Sequence, residues 1–175
     1  MKYEEISKLD AAKRQLIAAI RMFFERRDII AVHTLAAASQ GILIDLGKSR
    51  KISSILIDSE FILPEKRDEV NRKIREAQNY FKHADRDAEA QFNYCPDTTP
   101  LFLFDACLLY NQIAGYQFTE ARCFCTWLFM KYPQLLVECE LKDNLRNLLG
   151  NIDINDFEFI LNAIDKMNNN PEAKM

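Results

Sequence analysis

Apolar residues recur at every third or fourth position through most of the chain, the spacing that lines one face of a helix. Between Ser7 and about Arg26 they fall at Leu9, Ala12, Leu16, Ala19, Ile20 and Phe23, with Ser7 and Asp10 placed as a capping box. Asp28 is positioned to cap a second helix from about Ile29 to Leu46, with Gly47 as its C′ residue. Ala31, Ala36, Ala37, Ala38, Ser39 and Gly41 leave that helix a small face that lets another helix approach closely.

The apolar run Ile52–Ile57 fits a short helix, a strand or a loop. Pro64 suits the first position of a third helix, on which Val70, Ile74, Ala77, Phe81 and Ala84 keep the helical period and the opposite face is charged. A polar loop from Asp85 to Asp97 follows. The fourth and most apolar helix starts at Asp97 or Thr98, carries Pro100 in its first turn and stops at Gly115. Thr119 is read as the cap of a fifth helix running to about Tyr132. Leu135–Leu149 predicts one or two short helices, and Asp156–Met167 a last one. The pattern predicts an all-α, single-domain helical bundle of five to seven helices over residues 1–167, with the second and fourth most buried and a polar tail from 168 to 175.

Composition agrees. Hydrophobic residues make up 49% and charged residues 28% of 175, and only 4 Gly and 5 Pro are present, which disfavours a turn-rich β fold. A net charge of −3 excludes a wholesale basic footprint for nucleic acid, and the clusters Lys48–Lys51 and Lys66–Arg75 read as solvated faces. Five cysteines without a Cys-x-x-Cys suggest neither a disulfide framework nor a zinc knuckle, but small core residues in a reducing compartment. No secretory signal opens the chain and no run approaches the ~20 apolar residues of a membrane span, so a soluble cytoplasmic protein is expected.

Candidate chemistry concentrates in Asn79-Tyr80-Phe81-Lys82-His83-Ala84-Asp85-Arg86-Asp87, which holds one of only 2 histidines. Arg75, Asn79 and His83 stand at i, i+4 and i+8, a ladder on the shoulder of the buried stripe. Asp105 is the sole charge in Leu101–Tyr110; buried, it needs a partner, and Lys82, His83, Arg86 and His33 are the expected candidates. His33, in the alanine-rich second helix, reads as a hydrogen-bonded core histidine. No His-Glu-x-x-His or Glu-x-x-His is present, so neither a metal nor another cofactor is expected. Gly47-Lys48-Ser49 is not a phosphate loop, because Ile42 stands where that loop needs glycine and the segment closes a helix.

Gln78-Asn79-Tyr80-Phe81-Lys82-His83 resembles the signature of the HEPN superfamily of all-helical proteins, in which an Arg precedes a His by four to six intervening positions. Asn79, Lys82 and His83 match, whereas Gln78 stands at the arginine position and Arg75 is seven intervening residues from His83. In nuclease members, Arg and His from two subunits meet and cleave RNA without metal. Ala31–Ala36, Phe81–Asp87 and Leu103–Ala106 are together similar to an uncharacterised bacterial family, a resemblance that covers about two-thirds of the chain and implies no known function.

The sequence thus predicts a cytoplasmic helical binding or interaction protein, non-enzymatic and homodimeric, that receives a protein partner or small ligand through His83, Lys82, Asp85, Arg86, Asp87, Asp105 and His33. The alternative is a divergent HEPN-type endoribonuclease acting on RNA through His83, Asn79, Arg75 and Arg86.

Overall fold

The computed structural model describes residues 2–57, 59, 62–85, 88–136, 143–144 and 153–170. Six α-helices and no strand are found among them: α1 (Lys8–Phe24), α2 (Ile29–Lys48), α3 (Arg67–Tyr80), α4 (Thr99–Ala114), α5 (Thr119–Lys131) and α6 (Phe157–Asn169). The chain is an all-α bundle. Most of the short helices expected over Leu135–Leu149 lie outside the described residues, and Pro133–Leu135 is a single 3₁₀ turn.

Local chemistry sets the helix starts. The Ser7 hydroxyl accepts the Asp10 N–H at 3.1 Å and donates to the Asp10 carboxylate at 2.6 Å, so the return leg of the box runs to the hydroxyl, not to the backbone. Asp28 accepts the N–H groups of Ile30 and Ala31 at 3.0 and 3.1 Å, and Asp156 accepts that of Phe159 at 2.9 Å. Thr119 is the first residue of α5, not its cap. At the end of α4, Gly115 takes a left-handed conformation, φ 79°, that suits glycine.

α2 is the central element, with α1 and α4 packed along it. Part of its small face is consumed within the chain: Ala36 and Ala37 are fully buried and Ser39 donates to the Ala12 carbonyl of α1 at 2.9 Å. The helix that approaches closely at these three positions therefore belongs to the same chain. By length and composition alone α2, 20 residues long with mean hydropathy 1.6 over an 18-residue window, is apolar enough to cross a membrane, a test that the core helix of a soluble protein also passes. Its buried face nonetheless carries His33, Ser39 and Gln40, each hydrogen-bonded to a neighbouring segment.

Gly47 is not a C′ residue. It lies inside α2, where a Cβ would stand 2.8 Å from the Ile52 carbonyl oxygen, and the chain returns so closely that the Ile52 N–H bonds the Gly47 carbonyl at 3.1 Å. The segment 52–57 is then neither helix nor strand, but a loop laid against α4.

At the other end, Phe23, Phe24, Phe124, Trp127 and Phe157 form an aromatic nest with ring centroids 5.0–6.1 Å apart, mostly edge to face. The Trp127 indole donates to the Ile154 carbonyl at 3.0 Å. Buried Glu120 accepts from Asn168 at 2.9 Å and stands 3.6 Å from Arg21, which reaches Asp165 at 2.6 Å. Asn168 thus belongs to α6 and not to the tail. Cys107 and Cys125 are buried as expected, whereas Cys95 is exposed.

Candidate functional site

The third helix begins and ends differently from its apolar period. A 3₁₀ turn, Pro64–Lys66, precedes it, and the last helical residue is Tyr80, so Phe81 caps it and His83 and Ala84 lie beyond. One further turn is held by the Asn79 carbonyl, which accepts the N–H groups of Lys82 and His83 at 3.2 and 3.1 Å. That turn keeps His83 over the same side of α3 as Asn79.

Beside this corner lies a cleft of about 690 Å³, within the range of small-molecule sites. Arg72, Glu76, Asn79 and His83 form one wall, at i, i+4, i+7 and i+11, and Asp85, Ala90, Gln91 and Phe92 form the other. Tyr80 joins the walls: its ring stacks on Phe92 with centroids 5.1 Å apart at 27°, and its hydroxyl donates to the Ala90 carbonyl at 2.6 Å. The side chains of Arg72, Glu76, Asn79 and His83 make no hydrogen bond or ion pair among the described residues.

The structure therefore gathers Asn79, His83 and Asp85 and adds Arg72, Glu76, Tyr80, Gln91 and Phe92. Lys82 is exposed and does not line the cleft. Arg75 does not line it either and lies toward α2, where Asp45 is held below the usual carboxylate range by its bond to Lys48 and, more weakly, by the Arg75 charge. Arg86 and Asp87 lie outside the described residues. The additional helical lining had a readable signal, since stepping back from Asn79 by three and seven residues reaches Glu76 and Arg72.

Asp105 is not part of this locus. It is 0% exposed, and its partners are neutral: Gln40 Nε2 at 2.5 Å and Ser54 Oγ at 2.7 Å on Oδ2, and the Ile55 N–H at 2.8 Å on Oδ1. The cations expected from the α3 corner are replaced by two side-chain donors and a backbone donor, which make charge-assisted hydrogen bonds to a carboxylate. Ser54 in turn accepts the N–H groups of Leu56 and Ile57 at 3.1 and 2.8 Å, so the carboxylate organises the whole loop 52–57 against α2 and α4.

His33 is also 0% exposed and separate from the cleft. Its Nδ1 shares a hydrogen bond with Thr99 Oγ1 at 3.2 Å, and Nε2 has no partner among the described residues. The rings of Phe81, Tyr94 and Phe102 surround it with centroids at 5.8, 5.4 and 4.5 Å. Burial pushes its pKa down to about 4, so it is neutral at neutral pH. Tyr94, hydrogen-bonded to Thr99, is pushed up by burial as well. His33 is thus a core histidine that docks the end of α3 on α2.

No family model, no curated protein and no solved structure matches the chain. Among the described residues there is also no group of three or more His, Cys, Asp or Glu arranged to hold a metal ion.

Proposed function

We propose that this chain is a non-enzymatic cytoplasmic binding protein of bacterial type whose small-ligand site is the cleft that α3 forms with Asp85, Ala90, Gln91 and Phe92. The observation that carries this reading is the convergence of Arg72, Glu76, Asn79 and His83 on one concave surface with their hydrogen-bonding groups unengaged among the described residues. Small-molecule sites combine aromatic surface with convergent polar groups, and here the Tyr80–Phe92 stack supplies the aromatic surface within a largely polar lining. Ligand-observed NMR with a small-molecule mixture tests it: hits must disappear in an Asn79→Ala/His83→Ala variant. Hits that survive the double substitution, or an absence of hits, overturn the reading.

One observation favours a metal-independent ribonuclease as the second reading. Arg72 supplies to the cleft the guanidinium that Gln78 does not, beside Asn79 and His83. Those groups would stabilise phosphorane charge and activate a 2′-hydroxyl. Glu76 weighs against it, because its carboxylate repels a phosphodiester. RNA incubated with purified protein and a chelator separates the readings: cleavage lost in His83→Ala supports the nuclease.

A further inference from the structure

Away from the cleft, Lys13, Tyr110 and Tyr116 form a cluster of titratable groups where α1 meets the connection between α4 and α5. Of the 6 tyrosines only Tyr3 and Tyr116 are exposed, at 89% and 50%. Tyr116 directly follows the left-handed Gly115, and its oxygen meets groups from two helices. The Lys13 ammonium donates to it at 3.2 Å, and the Tyr110 hydroxyl lies 2.9 Å away. The ammonium also stands over the rings of Tyr116 and Phe118, 5.4 and 5.8 Å from their centroids.

An ammonium can only donate. Tyr110, 2% exposed, keeps its proton as well, because burial first and the bond to Tyr116 next push its phenol above the ordinary range. Tyr116 is pushed below that range, first by the Tyr110 hydroxyl and then by Lys13, while the Asp10 charge on α1, engaged with Ser7, opposes this only weakly. The first proton to leave the cluster is therefore that of Tyr116. Exposure gives a reagent access, and two donors stabilise the phenolate, as an activated nucleophile requires.

We propose that Tyr116 is a nucleophilic phenol, an O-modification site that accepts an acyl group from an activated acyl donor. The Tyr116 oxygen forms the new bond to the acyl carbon, the bond from that carbon to the leaving group breaks, and the phenolic proton ends on the leaving group. Negative charge passes from the phenolate to the acyl oxygen beside the Lys13 ammonium. The site is separate from the cleft and does not depend on its ligand.

Brief treatment with N-acetylimidazole, which transfers acetyl to phenols and leaves as imidazole, tests the proposal by peptide mass spectrometry, with hydroxylamine reversal marking O-acetyl tyrosine. Near neutral pH, Tyr116 should be acetylated severalfold faster than the more exposed Tyr3. Lys13→Met should remove most of that advantage, and Lys13→Arg, which keeps a cation, should restore it. Tyr110→Phe deletes the second donor while keeping the ring, and should slow Tyr116 as well. In an alkaline titration followed by phenolate absorbance, Tyr116→Phe should remove the earliest tyrosine ionisation. Acetylation of Tyr116 no faster than that of Tyr3, or a rate unchanged in both Lys13→Met and Tyr110→Phe, overturns the proposal and leaves the cluster a structural tie between α1 and α4.

Discussion

Gln40 Nε2 and Asp105 Oδ2 stand 2.5 Å apart in the seam between α2 and α4, both removed from water. With Ser54 and the Ile55 N–H they complete a polar knot inside an otherwise apolar interface. Asp105→Ala would leave all three donors buried without an acceptor, at about 1–3 kcal/mol each before relaxation. The expected loss is about 3–5 kcal/mol in urea denaturation, the sum for three stranded donors after partial relaxation. A loss under about 1 kcal/mol would mean water or rearrangement satisfies those donors.

His33 gives the fold a pH dependence. Its folded pKa of about 4 lies below the ordinary histidine value of 6.5, so the unfolded chain takes up this proton first as pH falls. The stability it supports is fully present above about pH 6.5 and is lost progressively down to about pH 4, up to about 3 kcal/mol in total. Denaturation at pH 7, 5.5 and 4 should show a shallower decline for His33→Leu than for the natural chain. Parallel declines would place the proton elsewhere.

Two glycines on one helix should respond oppositely to alanine. At Gly47 the added Cβ meets the Ile52 carbonyl oxygen at 2.8 Å and the Ile52 Cβ at 3.3 Å, so Gly47→Ala should cost about 1–3 kcal/mol. At Gly41 nothing lies within 4 Å, and Gly41→Ala should gain about 0.5–1 kcal/mol from helix propensity alone. Thermal melts of the two variants should move in opposite directions, and a common direction would refute the close return of the chain at Ile52.

Asn168 closes a contact that a terminal tail would not make. Its amide donates to buried Glu120 at 2.9 Å, beside the pairing of Arg21 with Asp165. Asn168→Ala should cost about 1 kcal/mol, whereas Asn169→Ala, at an exposed position, should cost under about 0.5 kcal/mol. Equal small effects would show that α6 frays before this residue.

The helices were legible because each one facing the core repeats its apolar positions with the helical period, and because Ser7, Asp28 and Asp156 carry the chemistry of helix starts. The end of α3 was not. Ala84 continues the period by coincidence, while the chain leaves the helix at Tyr80 to let Phe81 reach the ring of His33. The burial of Asp105 could be read from its neighbours, but not its partners: a sequence displays charges, whereas Gln40 and a backbone N–H become donors to it only once α2, α4 and the loop meet. For the same reason Ile52–Ile57 had no readable conformation, since Ser54 and Asp105 decide it from 51 residues apart. In the cleft, Asn79, His83 and Asp85 stood out by composition, Arg72 and Glu76 by spacing, and Phe92 by neither, because it arrives from a loop.

Trp127 is the only indole in the chain and is nested among Phe23, Phe24, Phe124 and Phe157. Its emission therefore reports on the joining of α1, α5 and α6, while the tyrosine and phenylalanine around the cleft are silent at its wavelengths. Intrinsic fluorescence can follow global melting yet miss a ligand seated at the far corner, so an optically unresponsive sample is still compatible with an occupied cleft.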